Sequence, residues 1–182
     1  MNIAIIAGSN RKQASSTKLS EYVAGVLGKK GGDARVFDLY QQPLPMYCPD
    51  DAYDDDRNVA ELKELMMKCD GIVLATPEYH SSISGALKNA LDHLNKDYFS
   101  GKPVLVMSSS GGAVGVSCLQ HMQGIVRNLH GINSPEWISI GGAQRQSFEG
   151  ERAGLEVQED VDLRIHRACD LFVSLVERLR KG

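Results

Sequence analysis

The chain has 182 residues, 42% of them hydrophobic, which is long enough for one domain with a substantial core and short for two. A formal net charge of -3 with no block of Lys and Arg argues against nucleic acid as a partner, because phosphate backbones are held by clustered cations. No apolar run approaches the length of a membrane span, and Cys48, Cys69, Cys118 and Cys169 form no CxxC pair, so neither a disulfide framework nor a metal site is expected.

Asn2 to Ala7 is an apolar, β-branched run suited to a strand covered on both faces. It stops at Gly8-Ser9-Asn10-Arg11-Lys12-Gln13-Ala14-Ser15-Ser16-Thr17, and a helix is predicted from about Ser16, with Ser and Thr as N-caps, to Lys29-Lys30-Gly31. Ala34 to Leu39 reads as the second strand, and Gln41 to Asp56, with three Pro and five Asp, as a surface loop. Val59, Leu62, Leu65, Met66 and Cys69 mark a second helix, and Gly71 to Thr76 the third strand. Pro77 to Ser82 follows as a loop, with Ser84 as N-cap of a helix carrying Ala86, Leu87, Ala90, Leu91 and Leu94. Lys102 to Met107 is the fourth strand, running into a hydroxyl-rich loop, Ser108 to Gly112. A helix marked by Val116, Leu119, Met122, Ile125, Val126 and Leu129 then leads to a fifth strand, Glu136 to Ile140. Gly141 to Gly154 reads as a polar loop. Val161, Ile165, Ala168, Phe172, Leu175 and Leu179 form the stripe of a last helix docking on the sheet.

Strands alternating with helices predict an α/β domain over residues 1–182. Five parallel strands favour the flavodoxin-like doubly wound order 2-1-3-4-5 with helices on both faces, since a dinucleotide-type double unit needs six. That order has a switch point between strands one and three, where ligands bind outside the carboxyl ends. The loops Gly8–Thr17 and Pro77–Ser82 should therefore face each other, with Ser108–Gly112 as the next wall.

The first loop lacks GxGxxG and the GK[ST] ending, so neither a dinucleotide fingerprint nor a Walker site fits. By itself it is either turn-and-cap chemistry or an anion cradle. Arg11, which has no capping duty, and the gathering of three such loops at one edge favour a mononucleotide phosphate. No Ser-His-Asp spacing or carboxylate pair stands out, and Glu78 and His80 are each alone, so no catalytic residue is assigned. A site without acid, base or nucleophile fits one in which a cofactor performs the reaction.

Gly8-Ser9-Asn10-Arg11 followed by Leu19, and Pro77-Glu78-Tyr79-His80-Ser81 leading to Ser84-Gly85-Ala86-Leu87-Lys88-Asn89-Ala90-Leu91-Asp92, resemble the NADPH-dependent FMN reductase family, which includes bacterial azoreductases and quinone or chromate reductases. The resemblance implies a flavodoxin-like oxidoreductase that passes a hydride from NADPH, or NADH, through bound FMN to a quinone, azo compound, free flavin or metal oxyanion. Carried over, Ser9 and Arg11 would hold the FMN phosphate with hydroxyls from Ser15, Ser16 and Thr17. Pro77, Glu78, Tyr79 and His80 would border the isoalloxazine, and Ser109, Ser110 and Gly111 its pyrimidine edge. The chain departs from the family pattern at Ala14, where many members have Ser, at His80, often Asn, and at Ser84, often Pro. A homodimer or homotetramer is implied, with Leu91, Leu94, Trp137 and the Gly141–Gly154 loop as interface candidates. The alternative is an FMN electron carrier without NAD(P)H activity, for which the acidic run Asp50 to Asp56 speaks and the mild net charge does not. With no charged n-region before an apolar segment, a cytoplasmic protein is expected.

Overall fold

A computed structural model describes residues 1–180; the last two residues of the span assigned above to one domain lie outside the described residues. The strands are β1 (Asn2–Ala7), β2 (Asp33–Asp38), β3 (Gly71–Pro77), β4 (Pro103–Ser110), β5 (Ile132–Asn133) and β6 (Ile138–Gly141). They alternate with α1 (Ser15–Lys29), α2 (Arg57–Lys68), α3 (Gly85–Asp92), α4 (Val116–Asn128) and α5 (Glu159–Leu179). All strand pairs are parallel, in the order β2-β1-β3-β4-β5, with β6 also pairing β4.

The period-two alternation of β1 sends Ile3 and Ile5 to one face and Ala4 and Ile6 to the other. On the first face they meet Leu19, Val23 and Leu27 of α1 and Ile165, Phe172 and Val176 of α5. The second face is covered by Leu62 and Met66 of α2, Leu87 and Leu91 of α3, and Leu119, Met122 and Val126 of α4. Each fully buried aliphatic side chain contributes about 1.5–3 kcal/mol relative to exposure, so both layers, rather than helix propensity, hold the helices in place. Among the described residues no helix is long and apolar enough to cross a membrane.

Several local expectations are corrected. The fifth strand, predicted at Glu136 to Ile140, runs from Ile138 to Gly141 as β6, and a further two-residue strand, β5, pairs with β4 before Pro135, which cannot donate to the ladder. Ser108–Ser110 is the end of β4 rather than loop, paired to β6 throughout and to β3 at Ser108 and Ser109, and buried. Residues 142–148 of the supposed polar loop form a 3-10 helix that buries Phe148 edge-on against Tyr22, ring centres 5.7 Å apart. The stripe of α5 ends on Val176, and Leu179 is 43% exposed. Leu91 and Leu94, among the interface candidates, are buried in the core and also line the floor of a groove between α3 and α4. The Gln41–Asp56 loop is pinned to α3 by Asn89, which accepts from the Tyr47 amide at 2.8 Å and donates to the Pro45 carbonyl at 2.9 Å, while Asp56 caps α2.

Candidate functional site

At the carboxyl edge of the sheet the three loops singled out in the sequence are stitched into one crevice. Gly8 donates its amide to Ala75 O at 2.8 Å, and Ser84 Oγ donates to the Gly8 carbonyl, joining the β1 and β3 loops. The amide of Glu78 donates to Ser109 O at 2.8 Å, joining the β3 loop to β4. Ser15 Oγ and Ser109 Oγ lie 2.7 Å apart and close the circuit. Gly8 is required at this crossing, since a Cβ there would stand 2.5 Å from Ala75 O and 2.7 Å from Leu87 Cβ.

The first wall is left polar and incomplete. The N-cap of α1 is Ala14, which has no side-chain oxygen, so the expected Ser or Thr cap is replaced by an uncapped helix start. Ser16 Oγ and Thr17 Oγ1, in residues 1% and 4% exposed, are buried without a hydrogen-bond partner among the described residues. Ser9 is buried and its hydroxyl accepts from the Arg11 amide at 3.2 Å, turning the loop so that Arg11 itself is exposed. Free amides, the positive end of α1, two waiting hydroxyls and a guanidinium are together suited to a phosphate dianion.

The second wall is complete in itself. Tyr79 and Ser82 exchange two amide-to-carbonyl bonds of 3.0 Å around His80 (φ 50°) and Ser81 (φ 60°), a two-residue turn of the kind that ordinarily selects Asn-Gly. Ser82 Oγ is bonded to His121 Nδ1 at 3.0 Å, and Ser84 Oγ also accepts from the Leu87 amide, capping α3 as expected. Tyr79 remains 47% exposed. Glu78 is not the isolated carboxylate the sequence suggested: it accepts from the Cys118 amide in the first turn of α4, whose own N-cap is Gly115. Burial first, and then the Glu78 carboxylate, push the Cys118 thiol up to about 12.

The third wall has supports that the sequence did not reveal. Ser108 Oγ donates to Gly115 O at 2.7 Å, Gly115 donates to Ser139 Oγ at 3.0 Å, and Ser110 Oγ accepts from the Gly112 amide at 3.1 Å. Ser109 and Ser110 are thus buried at the strand end and Gly111 is exposed beyond them. The pairing Ser108↔Ser139 brings Ser139 in, and only the register of β6 could have signalled it.

Residues 1–145 match the model of the family described as NADPH-dependent FMN reductase. The FMN-dependent NADPH-azoreductase of Staphylococcus aureus is 40% identical over 176 residues, covering 94% of this chain and 93% of that protein. Among solved structures, the flavoenzyme NAD(P)H:(acceptor) oxidoreductase FerB of Paracoccus denitrificans superposes with a TM-score of 0.75 at 21% identity, covering 98% of both chains. An NADH:FMN oxidoreductase, EMOB, in its apo form gives 0.74 at 22% identity, covering 98% of this chain and 89% of that one. At these identities the structural matches speak for the fold.

Proposed function

From its membership of the NADPH-dependent FMN reductase family, to which this chain belongs and which makes it an FMN-dependent NAD(P)H oxidoreductase, we propose that the crevice is the FMN site and that its acceptors are flat or small oxidants, such as quinones and azo compounds, free flavin or metal oxyanions. The observation that carries the site assignment is the pair of buried, unpartnered hydroxyls, Ser16 Oγ and Thr17 Oγ1, at the uncapped start of α1. Buried polar groups without partners are rare and costly, and a phosphate seated on the helix N-terminus would satisfy both. In this reading Ser9, Arg11, Ser16 and Thr17 hold the phosphate, while Ser15 offers its amide and ties the cradle to Ser109.

Pro77, Glu78, Tyr79 and His80 then border the ring, and Ser109, Ser110 and Gly111 its pyrimidine edge. When bound, FMN supplies the hydride chemistry, and the chain's part is to bind, orient and tune. Glu78, with its carboxylate on α4, acts as a brace rather than a base. His80 stands exposed on its turn, with no nucleophile or carboxylate bonded to it among the described residues, and is read as lining the site. Of the acidic run that speaks for the electron-carrier alternative, Asp56 is committed to capping α2, while Asp50, Asp51, Asp54 and Asp55 are exposed.

Mixing purified holoprotein with NADPH under anaerobic conditions should bleach the oxidised flavin spectrum within the mixing experiment. A spectrum that stays oxidised would end the reductase reading. Steady-state rates with NADPH and NADH against a quinone and an azo dye would rank co-substrates and acceptors. We also read the chain as a homodimer or homotetramer, supported by a groove of about 920 Å³ between α3 and α4 into which Gly85 and Gly124 leave open space. A light-scattering mass equal to the 19.9 kDa chain would refute assembly.

A further inference from the structure

The segment after β6 lies directly on the third wall of the crevice. Register carries β6 alongside β4 as Ser109↔Ile140 and Ser110↔Gly141, so the two strands end at the same height. Gly142 donates to Gly112 O at 2.8 Å, and the approach at Gly141 is closer still: a Cβ there would stand 2.4 Å from Gly112 O. The 3-10 helix 142–148 is anchored below by buried Phe148 and by Arg164, which donates to Ser139 O and to Gln144 Oε1, both at 3.0 Å. A rigid support of this kind fixes what the segment presents.

What it presents over the crevice is Arg145. One terminal amino group, Nη1, lies 3.6 Å from the point where a Cβ on Gly111 would stand. Glu149 takes only Nε, at 2.7 Å, which orients the guanidinium along its own helix turn. Neither terminal amino group has a protein partner among the described residues. A guanidinium held by Nε with its planar fork free is arranged to donate to a planar, electron-rich edge.

We propose that Arg145 is the charge-setting residue of this site, donating to the N1–C2=O edge of the flavin ring and favouring its reduced form. The inference rests on the FMN reading above, with the ring's pyrimidine edge at Ser109–Gly111. A hydride brings two electrons and one proton to the ring while NAD(P)H leaves as NAD(P)⁺, so the ring gains one negative charge, which is shared between N1 and the C2 oxygen. A fixed cation beside that edge binds the reduced ring better than the oxidised one, and such a difference in affinity is a shift in potential.

The test compares wild type with Arg145→Gln, Arg145→Lys and Glu149→Gln as holoproteins. The readouts are the flavin midpoint potential, by anaerobic equilibration with a reference dye, and the Kd for oxidised FMN. Arg145→Gln should weaken reduced FMN about tenfold relative to oxidised FMN, a fall of about 30 mV for a two-electron couple. Arg145→Lys should restore most of that shift, and Glu149→Gln should move the potential the other way. An unchanged potential in Arg145→Gln, with FMN still bound, overturns the role of Arg145 alone. So does a higher KM for NADPH but not NADH at constant potential, which would assign Arg145 to the co-substrate's 2'-phosphate. Failure of the wild-type chain to bind FMN would instead bring down the underlying reading.

Discussion

The two facing walls of the crevice differ in how far the protein completes each one. Along Pro77–Ser84, the Glu78 amide, both ends of the Tyr79–Ser82 turn, the Ser82 and Ser84 hydroxyls and the Glu78 carboxylate all have protein partners. Along Gly8–Thr17, α1 starts without a cap and two buried hydroxyls have none. A wall that satisfies itself keeps its shape whether or not a ligand is present, so it provides geometry. A wall left unsatisfied carries a standing penalty of about 1–3 kcal/mol per buried group, which an anion removes, so it provides affinity. On the proposed FMN reading, orientation of the ring and retention of the phosphate fall to different loops, and each is expected to be perturbed with little effect on the other.

The largest expected effect is on the affinity wall. Arg11→Ala removes a charge-assisted donor, and FMN titration of the apo protein should show binding weakened by about tenfold to a hundredfold. Unchanged affinity would mean that Arg11 points elsewhere. Ser16→Ala sharpens the comparison, because it should weaken FMN by roughly tenfold while leaving the apo protein as stable or more stable, since an unpaired buried hydroxyl is lost. A clear fall in apo Tm would show that the Ser16 hydroxyl is already satisfied, and the contrast between the walls would collapse.

On the self-completed wall the order of effects should reverse. Ser84→Ala deletes the cap of α3 and the donor to Gly8 O together, and should cost about 2 kcal/mol of unfolding free energy, measured by urea denaturation. FMN affinity should change less than in Arg11→Ala. An affinity loss with stability intact would place Ser84 on the ligand instead.

What could be read from the sequence follows the same division. β1, β3 and the helices could be read because two-sided apolar runs and helical stripes are local patterns, and their alternation with right-handed crossovers favours the observed sheet order. Ser108–Ser110 could not, since three hydroxyls look like loop until Ser139, distant in sequence and brought in by the register of β6, and Gly115, beyond the turn, supply partners to Ser108. Phe148 was hidden in a polar stretch because one residue makes no periodic signal. In the sequence Ala14 shows only as a missing family hydroxyl. Its physical meaning, an open helix start, depends on where the cap falls, and propensity places caps only to within a residue or two. The proposed ring platform is visible as a motif, but its brace, the Glu78 carboxylate bonded to α4, is not, because α4 begins 38 residues later in the chain.

Smaller effects probe the platform itself. Ser81 holds φ 60°, a region that Gly enters freely, and Ser81→Gly should stabilise the protein by about 0.5–1 kcal/mol in thermal or urea unfolding with FMN affinity within about twofold of wild type. A loss of stability would mean that the Ser81 side chain makes a contact outweighing the backbone strain.

The smallest effect concerns the Glu78–Cys118 brace and appears only at alkaline pH. The Cys118 thiol, ordinarily at 9.0, is held near 12 in the folded chain, so the folded state keeps a proton that the unfolded state has already lost between those values. This contribution to stability is therefore complete below about pH 9 and disappears as pH rises through about 12. Glu78→Gln removes the carboxylate's repulsion of the thiolate but leaves the burial, which is the larger cause, so the thiolate absorbance should rise at lower pH than in wild type yet still above 9.0. An unchanged titration would mean that the carboxylate does not face Cys118, and with it would go the picture of Glu78 as the brace that ties the ring wall to α4.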